Sequence, residues 1–447
     1  MRENGLRRHA PTTERNVSMT TELTRFTQWA KERPQRRYTS LMGMLTHVSG
    51  LTESFHRQPH EKAVGVDGVS KADYGKDLVA NLEELSARLR RLGYRPKPAR
   101  RVYIPKASGG RRPLGIPSFE DRLVQDRLSR ILQAIWEPEF RDCAYGFRPG
   151  RSAHQALARL NHIIEAERTQ WLVEADIKGF FDHVHHEHLM RFIEHRIGDS
   201  TLLRLIRRFL KAGILEDGVF YASEEGTPQG GLVSPVLANI YLHYVLDLWF
   251  ERRFARNCTG KAFLVRYADD FVACFEREAD ARRFEQALKG RLSAFHLEVE
   301  PTKTALHRFG DLAPARCRRD GRDKPATFNF LGFTHYLVLR GGRARFTRKT
   351  QRERMHKKLQ ALGQRLRALR VQGARAMQEH VRLHLVGHIQ YYGVSGNSRS
   401  VSSYVFFATG RLYKWLNRRS QRRSVRWKDF RRWARGYLPR PRLVHAL

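Results

Sequence analysis

The apolar positions change period along the chain, and each change predicts an element. "WLVEADIKGFFD" opens at Trp171 with a continuous apolar run that ends near Asp176, as a buried strand does. In "FLVRYADDFVACF" (263–275), Phe263, Val265 and Tyr267 alternate with Leu264, Arg266 and Ala268. Phe271, Ala273 and Phe275 then alternate with Val272 and Cys274. This period of two predicts a short hairpin with Asp269 and Asp270 at its tip. Helical spacing takes over in "READARRFEQALKGRLSAF", where Phe284, Leu288, Leu292 and Phe295 form a stripe, and in "GLVSPVLANIYLHYVLDLWF", with Leu232, Val236 and Ile240 on one face. Short strands are predicted at "LEVE" and "FNFLGFTHY". From residue 171 the order is strand, helix, helix, hairpin, helix, strand: an α+β layer with helices over one face of a small sheet.

Upstream, residues 1–60 read as polar and irregular with one helix around "SLMGMLTHVSGL". An amphipathic helix covers roughly 73–92. "RRVYIPKASGGRRPLGIPS" predicts a second hairpin around a Ser-Gly-Gly turn, and "EDRLVQDRLSRILQAIW" a helix. Downstream of about 350, Met355, Leu359, Leu362, Leu366 and Leu369 recur at three- and four-residue steps, with Lys and Arg on the other faces.

Charge changes the picture more than composition does. Lys and Arg number 83 against 45 Asp and Glu, a net charge of +38, and a polyphosphate backbone is the most economical partner for such an excess. An anionic membrane surface is the competing partner. No apolar run approaches the roughly 20 residues of a bilayer span, and the N-terminus lacks a signal-peptide core. A cytoplasmic nucleic-acid binder without membrane attachment is expected. Cys143, Cys258, Cys274 and Cys317 are scattered with no C-x-x-C pair, so ordinary thiols are expected rather than a zinc ribbon or disulfide framework.

An isolated Asp-Asp is most simply a solvated turn. Asp176 at a strand end alters that reading. If the hairpin pairs beside that strand, Asp176, Asp269 and Asp270 meet at one sheet edge, where they repel unless cations intervene. Mg²⁺ suits carboxylate and phosphate oxygens, and two such ions about 3.5–4 Å apart can activate a 3′-hydroxyl and stabilise departing pyrophosphate.

"DIKGFFD" (176–182), "GTPQGGLVSPVLANIYL" (226–242), "RYADDFV" (266–272), "PTKT" (301–304) and "FNFLGF" (328–333) stand in the order of reverse transcriptase motifs. With "RRPLGIPSFEDRLVQ", "YGFRPGRSAHQAL", "YYGVSGNSRS" and "LPRPRLVH", the chain from about residue 60 resembles the bacterial group II intron-encoded reverse transcriptase/maturases. The resemblance implies an α+β right-hand polymerase with fingers and palm over 61–340, followed by a basic helical thumb and maturase domain over 341–447. Residues 1–60 form a poorly matched extension, and no endonuclease segment is expected.

It also implies roles. Asp176 and Asp269 would hold two Mg²⁺ with the Ile177 carbonyl as an extra ligand, and Asp270 would be the third acid. Phe181 matches the aromatic that excludes a ribose 2′-hydroxyl. Lys106 and Arg112 match the finger cations that grip an incoming triphosphate, Gln229 a residue near the nucleotide sugar and base, and Lys303 the lysine near the leaving pyrophosphate. "FLGF" resembles the primer grip. Arg148, Arg151, Tyr391, Arg418 and Arg419 would contact nucleic acid. "HVHHEHL" (183–189) suggests zinc, but the family has unrelated polar residues there, so these histidines read as surface and Asp182 as a helix cap. The implied partners are group II intron RNA or another RNA template, a DNA primer or target, and deoxynucleotides, with the chain acting as monomer or homodimer. Two alternatives stay open: a splicing cofactor without polymerase activity, and a domesticated relative serving defence or DNA repair.

Overall fold

The computed structural model describes residues 19–105, 110–227, 230–322, 324–418 and 425–447. Its first part is more ordered than its polar sequence suggests. Helix α1 (Met19–Glu32) packs on α6, and α2 (Met42–Thr46) and α3 (Val48–Arg57) follow. Leu41, Leu45, Leu51 and Phe55 enter the main core, so the expectation of an irregular start with one helix is corrected. A sparse apolar set suffices here because a neighbouring helix face supplies the rest of the burial.

After α4 (Lys71–Tyr74) and α5 (Leu78–Arg90), strands β1 (Ala99–Pro105) and β2 (Arg111–Ile116) form the expected hairpin. Helix α6 (Phe119–Trp136), capped by Ser118 accepting from the Asp121 amide, is buried along most of its length. Helix α7 (Ala153–Ala166) starts with a reciprocal cap between Ser152 and Gln155, as "RSAHQAL" suggests. Then come β3 (Trp171–Asp176), α8 (His186–Glu194), α9 (Ser200–Leu210), β4 (Ile214–Glu216), β5 (Val219–Tyr221) and α10 (Ser234–Leu242). Helix α10 runs on through π-helical turns at His243–Asp247 and Phe250–Phe254. It is buried all round rather than on one face, and Leu232 precedes it.

Strands β6 (Ala262–Tyr267) and β7 (Asp270–Phe275) are followed by α11 (Glu278–Ser293), β8 (Ala305–Arg308), α12 (Ala313–Arg319), β9 (Phe328–Phe330), β10 (Phe333–Arg340) and β11 (Arg343–Thr350). "LEVE" does not form a strand. Asp176 ends β3 and its carbonyl already accepts from the Glu300 amide, leaving a single bridge between Ile177 and Val299. The edge strand beside β3 is β8, which begins two residues past the Pro301–Lys303 turn.

Among the described residues three sheets form, in the orders β2-β1-β4-β5, β6-β7-β3-β8 and β11-β10-β9. Strict alternation divides the second sheet. Val173, Ala175, Phe271, Ala273 and Phe275 face the helical core that includes α6, α8, α10 and α11. Leu172, Val265, Val272 and Cys274 face α7 and the β9–β11 sheet. Both faces are therefore covered, not one, because the runs on β3 and β7 are apolar at odd and even positions alike.

The remaining helices, α13 (Arg352–Leu369), α14 (Ala374–Tyr392), α15 (Ser398–Asn417) and α16 (Trp427–Tyr437), build a core of their own around Leu362, Leu366, Val381, Tyr404 and Phe430. Arg365, Arg367, Arg431 and Arg432 point outward. All four cysteines are free thiols. Among the described residues no helix is long and apolar enough to cross a membrane.

Candidate active site

Strand register brings the acids together. β3 and β7 are antiparallel, with Asp176 directly opposite Asp270, and Tyr267 pairs with Asp270 across the β6–β7 hairpin. Paired residues on adjacent strands point to one face with Cα atoms about 4.5–5.5 Å apart. The hairpin turn is therefore Ala268–Asp269, and Asp270 is the first residue of β7 rather than part of the tip. Glu174, two residues before Asp176, lies on the same face. It is bound to His307 at 3.3 Å and to the Asn329 amide at 3.2 Å.

The electrostatics match that crowding. Burial, then repulsion from Asp176, Asp269 and Glu174, pushes the Asp270 carboxyl up to about 8, despite a hydrogen bond from the Leu331 amide. Burial and Asp176 likewise raise Asp269, against the opposing charges of Arg112 and Lys303. Lys303 pairs with Asp176. Burial disfavours its charge, but Asp176, Glu300 and Asp269 hold the ammonium above the usual lysine range. A set of carboxylates that cannot all ionise together fits a divalent cation with oxygen ligands.

Behind the turn lies a dry polar network that holds it. Arg266, fully buried, donates to both oxygens of Asp247 at 2.7 and 2.6 Å, to Asn239 at 3.1 Å and to the Ala268 carbonyl at 2.9 Å. Burial works against its charge, but Asp247 keeps the guanidinium above its ordinary range. Ala268 has a φ of 58°, a left-handed conformation costing an L-residue roughly 1–2 kcal/mol. The Arg266 bond fixes it there. Asn239 also donates to the Gly146 carbonyl at 2.8 Å. A Cβ at Gly146 would lie 2.4 Å from the Ala268 nitrogen, so only glycine lets the two backbones meet.

A second turn closes the site. Leu331 (φ 50°) and Gly332 (φ 83°) join β9 to β10 in a type I′ geometry. The Leu331 amide reaches Asp270, and the Leu331 carbonyl accepts from the Tyr391 hydroxyl at 2.9 Å.

Comparison with known proteins follows the same lines. The model of the family described as reverse transcriptase (RNA-dependent DNA polymerase) matches residues 104–335, just over half of the chain. The chain belongs to the reverse transcriptase family. It is 38% identical over 316 residues to the protein YkfC of Escherichia coli (strain K12), covering 63% of this chain and 83% of YkfC. It is 48% identical over 160 residues to the group II intron-encoded protein LtrA of Lactococcus lactis subsp. cremoris, covering 35% of this chain and 26% of LtrA. A match to nuclear intron maturase 4, mitochondrial, of Arabidopsis thaliana is 32% identical over 131 residues, 29% of this chain and 16% of that protein. The chain thus spans most of YkfC and about a quarter or less of the two intron proteins.

In this family member the other expected site residues fall into several groups. Lys106, Gln229 and Arg419 lie outside the described residues. Near the site are Arg112, exposed on β2 with its charge felt at Asp269, and half-buried Phe181, in a short turn at Phe180–Asp182. The Phe181 carbonyl accepts from the Thr227 amide at 2.7 Å. Gly230, on the far side of Gln229, packs against the Gly115 carbonyl of β2. Arg151 pairs with exposed Asp142 and lies over the Tyr145 ring, and Arg418 is exposed beside Trp415.

One expected nucleic-acid contact, Arg148, is corrected, and a second, half-buried Tyr391, has its hydroxyl engaged within the protein. The buried guanidinium of Arg148 is committed to Glu137 and to the carbonyls of Arg141 and Ala144. Tyr391 uses its hydroxyl on Leu331, its ring stacks on Phe333, and burial pushes it up to about 12. Both brace loops. Asp182 does not cap α8: His185 does, accepting from the His188 amide. Nor is "HVHHEHL" all surface, since His186 is buried and bonds the Gly226 carbonyl at 2.7 Å.

Sequence reading missed Glu174, Arg266, Asp247, Asn239 and Gly146. The available signal was a charged Arg266 at a strand position whose neighbours are apolar.

Proposed function

We propose that this chain is an RNA-directed DNA polymerase that copies RNA into cDNA and also binds group II intron RNA, assisting its splicing and mobility. The observation that carries the reading is the Asp176–Asp270 register pair with Asp269 in the adjoining turn. Such a cluster has no use in a protein that only binds RNA. In this reading the β1–β2 hairpin and its neighbours are the fingers, the four-stranded β6-β7-β3-β8 sheet is the palm, and residues 341–447 are thumb and maturase. Two Mg²⁺ ions held by Asp176, Asp269 and the Ile177 carbonyl would supply charge for the attacking 3′-hydroxyl and departing pyrophosphate.

The chain's own groups do the positioning. Flanking bonds turn the Asp176 carbonyl towards Glu300, so strand alternation turns the Ile177 carbonyl to the opposite edge. Arg112 and Lys303 supply cations on either side of the acids, for the triphosphate and the leaving group. Lys106 and Gln229 would complete nucleotide binding. Phe181 excludes a 2′-hydroxyl, and the Leu331–Gly332 turn seats the primer end beside Asp270. Outward arginines on α13 and α16, with Arg151, Arg418 and Arg419, offer phosphate contacts.

The test is primer extension on an RNA template with Mg²⁺ and deoxynucleotides. Replacing Asp269 and Asp270 together by Ala lowers extension by about a thousandfold or more, as loss of several kcal/mol of charge stabilisation requires. RNA binding stays within a few-fold and weakens steeply with salt in both proteins. Undiminished extension by the double variant would refute the reading.

A further inference from the structure

Three histidines converge away from the carboxylates. His185 caps α8, His188 lies in its first turn, and His296 follows the C-terminal end of α11. The His185 and His296 rings stack with centroids 4.3 Å apart, and His188 lies 4.8 and 5.6 Å from them. One nitrogen from each ring falls within 4.8 Å of the others, with His296 exposed and the other two half-buried. The residues come together because α8 packs on α10, whose Tyr241 hydroxyl donates to the Phe295 carbonyl, just past the end of α11, at 2.8 Å. His296 has a φ of 57°. Helices usually give this left-handed exit position to glycine, yet here it carries an imidazole aimed at two others.

We propose that His185, His188 and His296 form a second metal site, which takes a cation that prefers imidazole ligands, of the Zn²⁺ class, and not Mg²⁺. Three neutral nitrogens with an open side suit tetrahedral coordination by three imidazoles and a water, whereas Mg²⁺ demands oxygen donors. Tetrahedral bonds of about 2.0–2.1 Å require nitrogens roughly 3.4 Å apart, so modest ring rotations draw the cluster in. The His185 cap on the His188 amide is made by Nδ1 at a long 3.4 Å, and would be given up only by ligation through that nitrogen.

The placement gives the site a purpose. Val184 and His186, on either side of His185, hold the amide and carbonyl of Gly226, next to Thr227 on the Phe181 carbonyl. Downstream of His296 the chain bridges Ile177 through Val299 and reaches Lys303. A bound cation would tie together the two segments that lead to Phe181 and to Lys303, bracing the candidate active site from behind.

The experiment uses the full-length chain, freed of metal by a chelator that is then removed, and titrated with Zn²⁺ in saturating Mg²⁺ so that the carboxylates are occupied. The expected result is one equivalent bound with a rise in melting temperature, and a tetrahedral visible spectrum when Co²⁺ replaces Zn²⁺. His188→Ala weakens binding at least tenfold, and so does His296→Asn, which keeps a side chain tolerant of the left-handed turn. Both variants lose the zinc-dependent stabilisation while melting like the parent without zinc. Unchanged zinc affinity in His296→Asn, no binding beyond that of the two variants, or a non-tetrahedral Co²⁺ spectrum would each overturn the assignment.

Discussion

Two charge clusters sit within a few residues of each other on the β6–β7 hairpin and are built in opposite ways. Around Arg266 the charges balance: the guanidinium and Asp247 are fully buried, and its donors meet Asp247, Asn239 and the Ala268 carbonyl. Around Asp270 they do not. Asp176, Asp270 and Glu174 share a sheet face with Asp269 in the adjoining turn, and Lys303 is the ion-pair partner of Asp176. The difference separates a cluster that serves geometry from one whose charge suits a cation. A buried ion pair fixes shape when every donor has an acceptor. Carboxylates left in excess beside the surface store unfavourable charge that a cation relieves.

The largest effect should come from unbalancing the first cluster. Arg266→Met leaves Asp247 buried and alone, and should destabilise the fold by about 3–5 kcal/mol, read by chemical denaturation. Adding Asp247→Leu should recover most of that stability, because two apolar groups can replace a buried pair. Primer extension should stay depressed, since Ala268 has still lost its donor. Full recovery of extension would show that the network does not position the turn.

Phe181 tests the site from the nucleotide side. Phe181→Val should raise ribonucleotide incorporation relative to deoxynucleotide by about tenfold or more, as removal of one steric contact worth 1–3 kcal/mol allows. An unchanged ratio removes Phe181 from that role.

The remaining test reads stability against pH. Asp270 ordinarily titrates near 3.8 and here near 8. Between those values the native state retains a proton that the unfolded chain has released, so stability falls as pH rises through this window and levels off above it. Without divalent cations, Asp270→Asn should therefore melt higher than the parent by an amount that grows from pH 5 to pH 8. Mg²⁺ should narrow the gap. A gap independent of pH would mean that the acids do not crowd one another.

Much of the site was legible in sequence because its chemistry lies at element boundaries. Asp176 ends an apolar run, and Asp269 and Asp270 interrupt two alternating ones, so local period placed them at a strand end and a hairpin. Arg148 was misread because a loop arginine looks alike in sequence whether it faces nucleic acid or braces backbone carbonyls. Of the N-terminal helices only α1 was missed, while the one helix expected around "SLMGMLTHVSGL" is split into α2 and α3, which pack against α5 and α6.

By itself, the sequence determined the excess of positive charge, the periods of strands and helices, and the presence of acids where a strand must stop. Tertiary structure alone decided that β7 lies beside β3 with Asp176 opposite Asp270, that Arg266 turns inward to hold Ala268, and that His296 reaches His185 and His188. Periodicity fixes which face of an element is apolar. Partner and register are chosen only when distant faces compete to bury themselves against one another.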